Sequence, residues 1–120
     1  MTTPRPRRAF TALPRTRQAA LLLVFRGDAV HRALELGARV VTIGRGAQND
    51  VVLEDADRAI SRFHAEVRVE EGGYVLVDLN SQNGTWVESR RVDRVELRAG
   101  VPVVIGPYRL VFDDTPLAAE

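Results

Sequence analysis

About ten short β-type runs, many of them separated by Gly or Asn-Gly turn signals, fill roughly the last hundred residues of this chain. The runs fall at 19–26, 29–36, 39–43, 51–53, 64–70, 74–79, 85–87, 91–92, 101–105 and 108–112. The first is continuously apolar, and Gly27-Asp28 after it predicts a hairpin into the second. Residues 64–70 alternate, with His64, Glu66, Arg68 and Glu70 on one side and Ala65, Val67 and Val69 on the other. No segment of useful length repeats apolar residues at helical spacing. Parallel α/β folds need crossover helices, so the pattern predicts an all-β sandwich or barrel.

Residues 1–18 differ in kind. They hold five Arg, three Pro, four Thr and no acid, with sparse, aperiodic apolar residues. This composition predicts a disordered Arg/Pro/Thr-rich arm. The organisation expected is therefore arm 1–18, β domain 19–113 and a frayed tail 114–120. The net charge of +1 hides an asymmetry: past residue 20 there are 12 Arg against 16 acids. Every basic residue is Arg, and guanidinium favours forked contacts with carboxylate and phosphate. The absence of Cys excludes disulfides, thiolate chemistry and Cys-based zinc sites. His31 and His64 lack metal-ligand spacing, so no metal and no cofactor is expected. The longest apolar run, 19–25, falls far short of the ~20 residues of a membrane helix. With no targeting segment legible, the cytoplasm is the expected compartment.

Chemistry-bearing residues cluster between the runs. Gly44-Arg45-Gly46 follows a strand and offers a guanidinium beside closely approachable backbone. Asn49-Asp50 can fix a loop through local backbone hydrogen bonds. Ser61 can donate a hydroxyl to an anion. His64, three residues on, invites comparison with a nucleophile–base pair. Along an extended segment the two would point to opposite faces, and no nucleophile-elbow loop exists, so His64 is expected to tie loops by hydrogen bonds. Ser81-Gln82-Asn83-Gly84-Thr85 is a polar turn whose Asn83 amide can pair with a peptide main chain on both edges. The glycines precede neither a Lys nor a helix, which excludes a P-loop and a dinucleotide fingerprint. No general base, cofactor loop or paired carboxylate set appears, so an enzyme is not expected.

These motifs, in order, resemble the forkhead-associated (FHA) family: Gly44-Arg45, Asn49-Asp50-Val51, Ser61-Arg62-Phe63-His64-Ala65, Ser81-Gln82-Asn83-Gly84-Thr85 and the late 100–106 segment GVPVVIG. The resemblance covers residues 20 to 112. It implies an eleven-stranded, mostly antiparallel β-sandwich whose loops at one end read phosphothreonine peptides, as an adaptor in Ser/Thr kinase signalling. By the same resemblance, Arg45 and Ser61 bind the phosphate, Arg62 assists, Gln82 lies beside the phosphate and Asn83 binds the ligand main chain. Gly44, His64, Gly84 and Thr85 support the loops. Residues around Arg58, Ala59 and 81–83 would meet the side chain three places after the phosphothreonine. The chain departs from the family pattern at Glu88, often Asn, at Gln82, often small or hydroxylic, and at Pro102, where a Gly-Asp pair usually continues.

The expected partners are phosphothreonine-containing proteins, among them a Ser/Thr kinase or its substrates, with no specific nucleic acid and no membrane span. A second reading keeps the fold as a phosphate-independent scaffold or oligomerisation module. A third gives the basic arm a nonspecific nucleic-acid role. Thr3, Thr11 and Thr16 are candidate phosphorylation sites in the arm. Eighteen flexible residues span roughly 20–25 Å, enough to bring a phosphorylated arm onto the recognition loops.

Overall fold

The computed structural model describes residues 16–18, 20–114 and 116–118, with side-chain environments for 20–114. The described residues form strands and turns with no helix. Two sheets face each other. A five-stranded sheet runs in the order β10 (Arg94–Glu96), β7 (Gly73–Asp78), β6 (Ala65–Glu70), β4 (Val41–Gly44), β5 (Val51–Val52). A six-stranded sheet runs β3 (Ala29–Glu35), β2 (Leu21–Arg26), β12 (Tyr108–Asp113), β11 (Val103–Ile105), β8 (Thr85–Val87), β9 (Arg90–Val92). These are the eleven strands expected, antiparallel throughout except for the parallel pair β4–β5. A separate ribbon pairs β1 (Thr16–Gln18) with β13 (Pro116–Ala118). The sequence reading had placed those six residues in arm and tail. Residues 1–15, with Thr3 and Thr11, lie outside the described residues.

The core lies between the sheets. Leu22 and Val24 of β2, Leu110 of β12 and Ile105 of β11 meet Ile43 of β4, Val67 of β6 and Leu76 of β7, all with at most 1% of their surface exposed. Alternation explains the choice: on β2 and β12 every second residue points inward. Burying such side chains is worth about 1.5–3 kcal/mol each. Tyr108 is buried with its hydroxyl donating to the Glu54 carbonyl at 2.8 Å, so the large ring adds packing without an orphaned polar group.

Two sequence expectations change. β10 was not anticipated, since three residues with one apolar member carry almost no periodic signal. Its Val95 pairs with Leu76 and packs against the core. Ala65 and Val67 turn inward as the alternation predicts, but Val69 is 45% exposed at the outer end of β6.

The β8–β9 hairpin turns on Glu88 and Ser89, both at positive φ (51° and 67°). Positive φ at both central residues is the hairpin pattern that Asn-Gly satisfies cheaply. Here a Cβ sits at each position, costing about 1–2 kcal/mol per residue. The family's Asn at position 88 thus has a conformational reason, and this chain tolerates the strain. We expect Ser89→Gly to stabilise the fold by about 1 kcal/mol, read as a higher urea midpoint with unchanged slope.

Candidate functional site

Three loops converge at one end of the sandwich: β4–β5, β5–β6 and β7–β8. The first two are stitched main chain to main chain. The Arg45 amide donates to the Ser61 carbonyl and the Gly46 amide to the Arg62 carbonyl, both at 3.0 Å. Asn49, 6% exposed, reinforces the join, its Nδ2 donating to the Arg62 carbonyl at 2.7 Å and to the Gly46 carbonyl at 2.8 Å. Such closeness demands glycine: a Cβ on Gly44 would stand 2.3 Å from the Arg62 carbonyl oxygen.

The third loop joins through side chains. Gln82 donates its main-chain N–H to Ser61 Oγ at 3.0 Å, and Asn83 Nδ2 donates to the Ala59 carbonyl at 2.8 Å. Asp78 organises the turn by accepting from the Ser81 amide at 2.8 Å, Ser81 Oγ at 2.6 Å and Thr85 Oγ1 at 2.7 Å. Burial pushes the Asp78 carboxyl up, but the donors from Ser81 and Thr85 outweigh it and hold it below the usual range. Arg91 donates to the Ser81 carbonyl at 2.9 Å. Gly84, at φ 94°, packs so close to Arg91 that a Cβ would lie 2.7 Å from its Nε.

His64 ties the β5–β6 loop to the β7–β8 loop. Its Nδ1 accepts from the Ser61 amide at 3.1 Å, which leaves Nε2 to donate to the Gly84 carbonyl at 2.9 Å. The segment from Ser61 to His64 is bent, not extended, so the opposite-faces expectation is corrected: the bend turns the imidazole back onto Ser61's backbone. Both ring nitrogens are engaged there, so neither is available to accept the Ser61 hydroxyl proton. Burial lowers the His64 pKa; the Gly84 hydrogen bond and Asp78, 3.8 Å away, oppose the shift without cancelling it. The ring is neutral at pH 7.

Arg45 is half-buried, and its Nε donates to the Ile60 carbonyl at 2.9 Å. That bond uses the inner edge of the guanidinium and orients the rest. Arg62, Gln82 and Asn83 are exposed beside it, and Ser61 is half-buried between them. One side-chain N–H of Asn83 is spent on Ala59, so only the remaining amide groups can meet a ligand, not both edges in full. The structure thus brings Arg45, Ser61, Arg62, Gln82 and Asn83 to one surface, with Gly44, His64, Gly84 and Thr85 beneath it.

Asp55 is a member of this end that the sequence reading missed. Its carboxylate accepts from the Ala59 amide at 2.6 Å and the Ile60 amide at 2.9 Å, shaping the turn in which Arg58 sits exposed at φ 57°. An acid followed four residues later by the donor it holds is the available signal, and it is a weak one.

The FHA domain family model matches residues 41–106, and the chain belongs to that family. FHA domains are binding modules known for phosphothreonine recognition, and they are non-catalytic. The chain is 38% identical over 102 residues to the glycogen accumulation regulator GarA of Mycobacterium tuberculosis, covering 85% of this chain and 62% of that protein. It therefore spans less than two thirds of that relative. An oxoglutarate dehydrogenase inhibitor of Corynebacterium efficiens is 38% identical over 83% of this chain and 69% of its own length. A solved FHA domain from work on phosphothreonine-dependent FHA domain interactions superimposes with a TM-score of 0.70 at 30% identity, over 82% of this chain and 99% of that one. No helix of the described residues is long and apolar enough to cross a membrane.

Two outcomes follow from this packing. Gly44→Ala should destabilise the domain by about 1–3 kcal/mol through overpacking against the Arg62 carbonyl, measured by urea denaturation. His64 has a folded-state pKa below its ordinary 6.5. The unfolded chain therefore binds its proton first as pH falls. Its contribution to stability is complete above pH 6.5 and is lost as pH drops through the folded value. Denaturation midpoints measured from pH 8 downward should show this slope, and His64→Gln should flatten it.

Proposed function

We propose that this chain binds phosphothreonine-containing segments of partner proteins and serves as a regulatory adaptor in Ser/Thr kinase signalling. The observation that carries the reading is the held guanidinium of Arg45, fixed through Nε and framed by Ser61 and Arg62. Ser61 Oγ accepts from Gln82 and keeps its O–H to donate to a phosphate oxygen. Two guanidiniums and a hydroxyl supply charge-assisted hydrogen bonds to a dianion. Gln82 borders the phosphate, and Asn83 meets the ligand main chain with the amide groups that Ala59 does not use.

The site is preorganised before ligand arrives. Its backbone is tied by the Arg62, Ser61 and Gly84 carbonyls, so little ordering entropy is lost on binding. One phosphate and a few peptide contacts correspond to micromolar affinity, about −8 kcal/mol, which suits reversible signalling. The relatives named as regulators of glycogen accumulation and of oxoglutarate dehydrogenase support a regulatory role, with a metabolic enzyme or a kinase as partner in the cytoplasm. In this reading Thr3, Thr11 and Thr16 remain the proposed sites of phosphorylation.

Calorimetry against a degenerate phosphothreonine peptide pool, beside unphosphorylated and phosphoserine pools, tests the proposal. Micromolar binding confined to phosphothreonine is expected. Arg45→Ala should weaken it at least 100-fold, the loss of about 3 kcal/mol from a bidentate charged contact. Equal binding of all three pools, or an unaffected Arg45→Ala variant, would sink it.

A further inference from the structure

Trp86 stands at the edge of the recognition loops and takes no part in the phosphate contacts proposed for them. It is the central residue of β8, where Thr85 and Val87 point into the core and Trp86 points out. Its indole N–H donates to the Asn83 carbonyl at 3.0 Å. The ring edge lies so close to the 81–85 turn that a Cβ on Gly84 would stand 3.0 Å from Nε1. The indole is thus fixed against the residue proposed to meet the ligand main chain, while 37% of Trp86 stays exposed. Cross-strand register sets Val104 of β11 on one side of it and Arg91 of β9 on the other. Val104 is also 37% exposed, and Arg91 is exposed with one guanidinium nitrogen held by the Ser81 carbonyl. The outer face of the other sheet is different. Arg68 there pairs with Glu66 and Arg94 with Glu70, the usual solvent face of an antiparallel sheet.

We infer that Trp86 and Val104 form an apolar subsite that selects a large aliphatic or aromatic side chain in the phosphothreonine segment. The inference rests on the proposed phosphothreonine reading, in which Asn83 meets the ligand main chain. A ligand in contact with Asn83 runs beside the indole, because Asn83 and Trp86 share a hydrogen bond. A ligand side chain that reaches over β8 then finds the ring and Val104 together, one strand spacing apart, about 4.8 Å. The platform suits an apolar group and not a second phosphate. Neither side chain carries charge, and the indole N–H, their one polar donor, is already used by Asn83. Little entropy is lost on contact, since the hydrogen bond and the bare glycine hold the indole in one orientation before the ligand arrives. Trp is also among the residue types that dominate interface energetics.

Calorimetry of the full chain against phosphothreonine peptides decides it. The peptides carry Leu or Phe at one flanking position at a time, compared with Ala at the same position. At one position the large side chain should tighten binding about 10-fold, the scale of burying one such group. Trp86→Ala should remove that preference while the Ala peptide keeps its wild-type affinity within about 3-fold. Val104→Glu leaves the indole tether in place and should lower the same preference by about 3-fold or more, by setting a carboxylate in the platform. Thermal melts confirm the folding of both variants. If Trp86→Ala weakens the Leu, Phe and Ala peptides alike, Trp86 only supports the Asn83 turn and the inference is overturned. A preference that either variant leaves intact overturns it too, as does the absence of any apolar preference. In those outcomes, binding that still needs the phosphate and Arg45 leaves the phosphothreonine reading standing, whereas phosphopeptides that do not bind at all would bring down both. Should Trp86→Ala fail to fold, Val104→Glu decides alone.

Discussion

The Arg62 carbonyl oxygen accepts hydrogen bonds from the Gly46 amide and from the Asn49 side chain, and it can stand there only because Gly44 carries no Cβ. That contact locks the β4–β5 loop to the β5–β6 loop. Everything else at this end is built on the join. Arg45, between the two glycines, has its Nε against Ile60 because the loops are already side by side. Ser61 is turned toward the β7–β8 loop for the same reason. Move the carbonyl by an ångström and the guanidinium, the hydroxyl and the Asn83 amide no longer share a surface.

The other half of the arrangement is a buried polar relay. Asp78 holds the 81–85 turn, and His64 holds that turn to Ser61. A neutral imidazole suits this task better than an aromatic ring or an amide. It offers one acceptor and one donor on opposite edges of a rigid plane, and the two loops present one N–H and one C=O. The cost of burying it is offset because both nitrogens are paired. Buried networks of this kind specify a single loop arrangement, since a partly satisfied alternative leaves an orphaned dipole in low dielectric. The proposed affinity for a dianion and the expected acid sensitivity of the fold therefore have a common origin. The recognition surface is rigid because its support is a hydrogen-bonded histidine whose protonation the fold resists.

The β2 strand connects core to surface. Leu22 and Val24 anchor it inward, while Leu21, Leu23 and Phe25 leave apolar atoms on the outer side.

How much of this was legible beforehand follows from range. The all-β class, ten of the eleven sandwich strands and the polar turns were readable because alternation, Gly and Asn-Gly act over two to six residues. The residues proposed to receive an anion were readable as types, Arg after Gly and Ser before Arg, and their order in the chain matched a known family. β10 was not, since Arg94–Glu96 becomes a strand only by pairing with β7. The bend at 61–64 was not, because the imidazole's position depends on Gly84, 20 residues away. Asp55's grip on Ala59 and Ile60 was equally hidden. The amino-acid sequence alone determined which groups are available and where the chain turns, because those are short-range properties of side chain and backbone. The tertiary structure decided which groups converge, because that depends on long-range register that periodicity does not record.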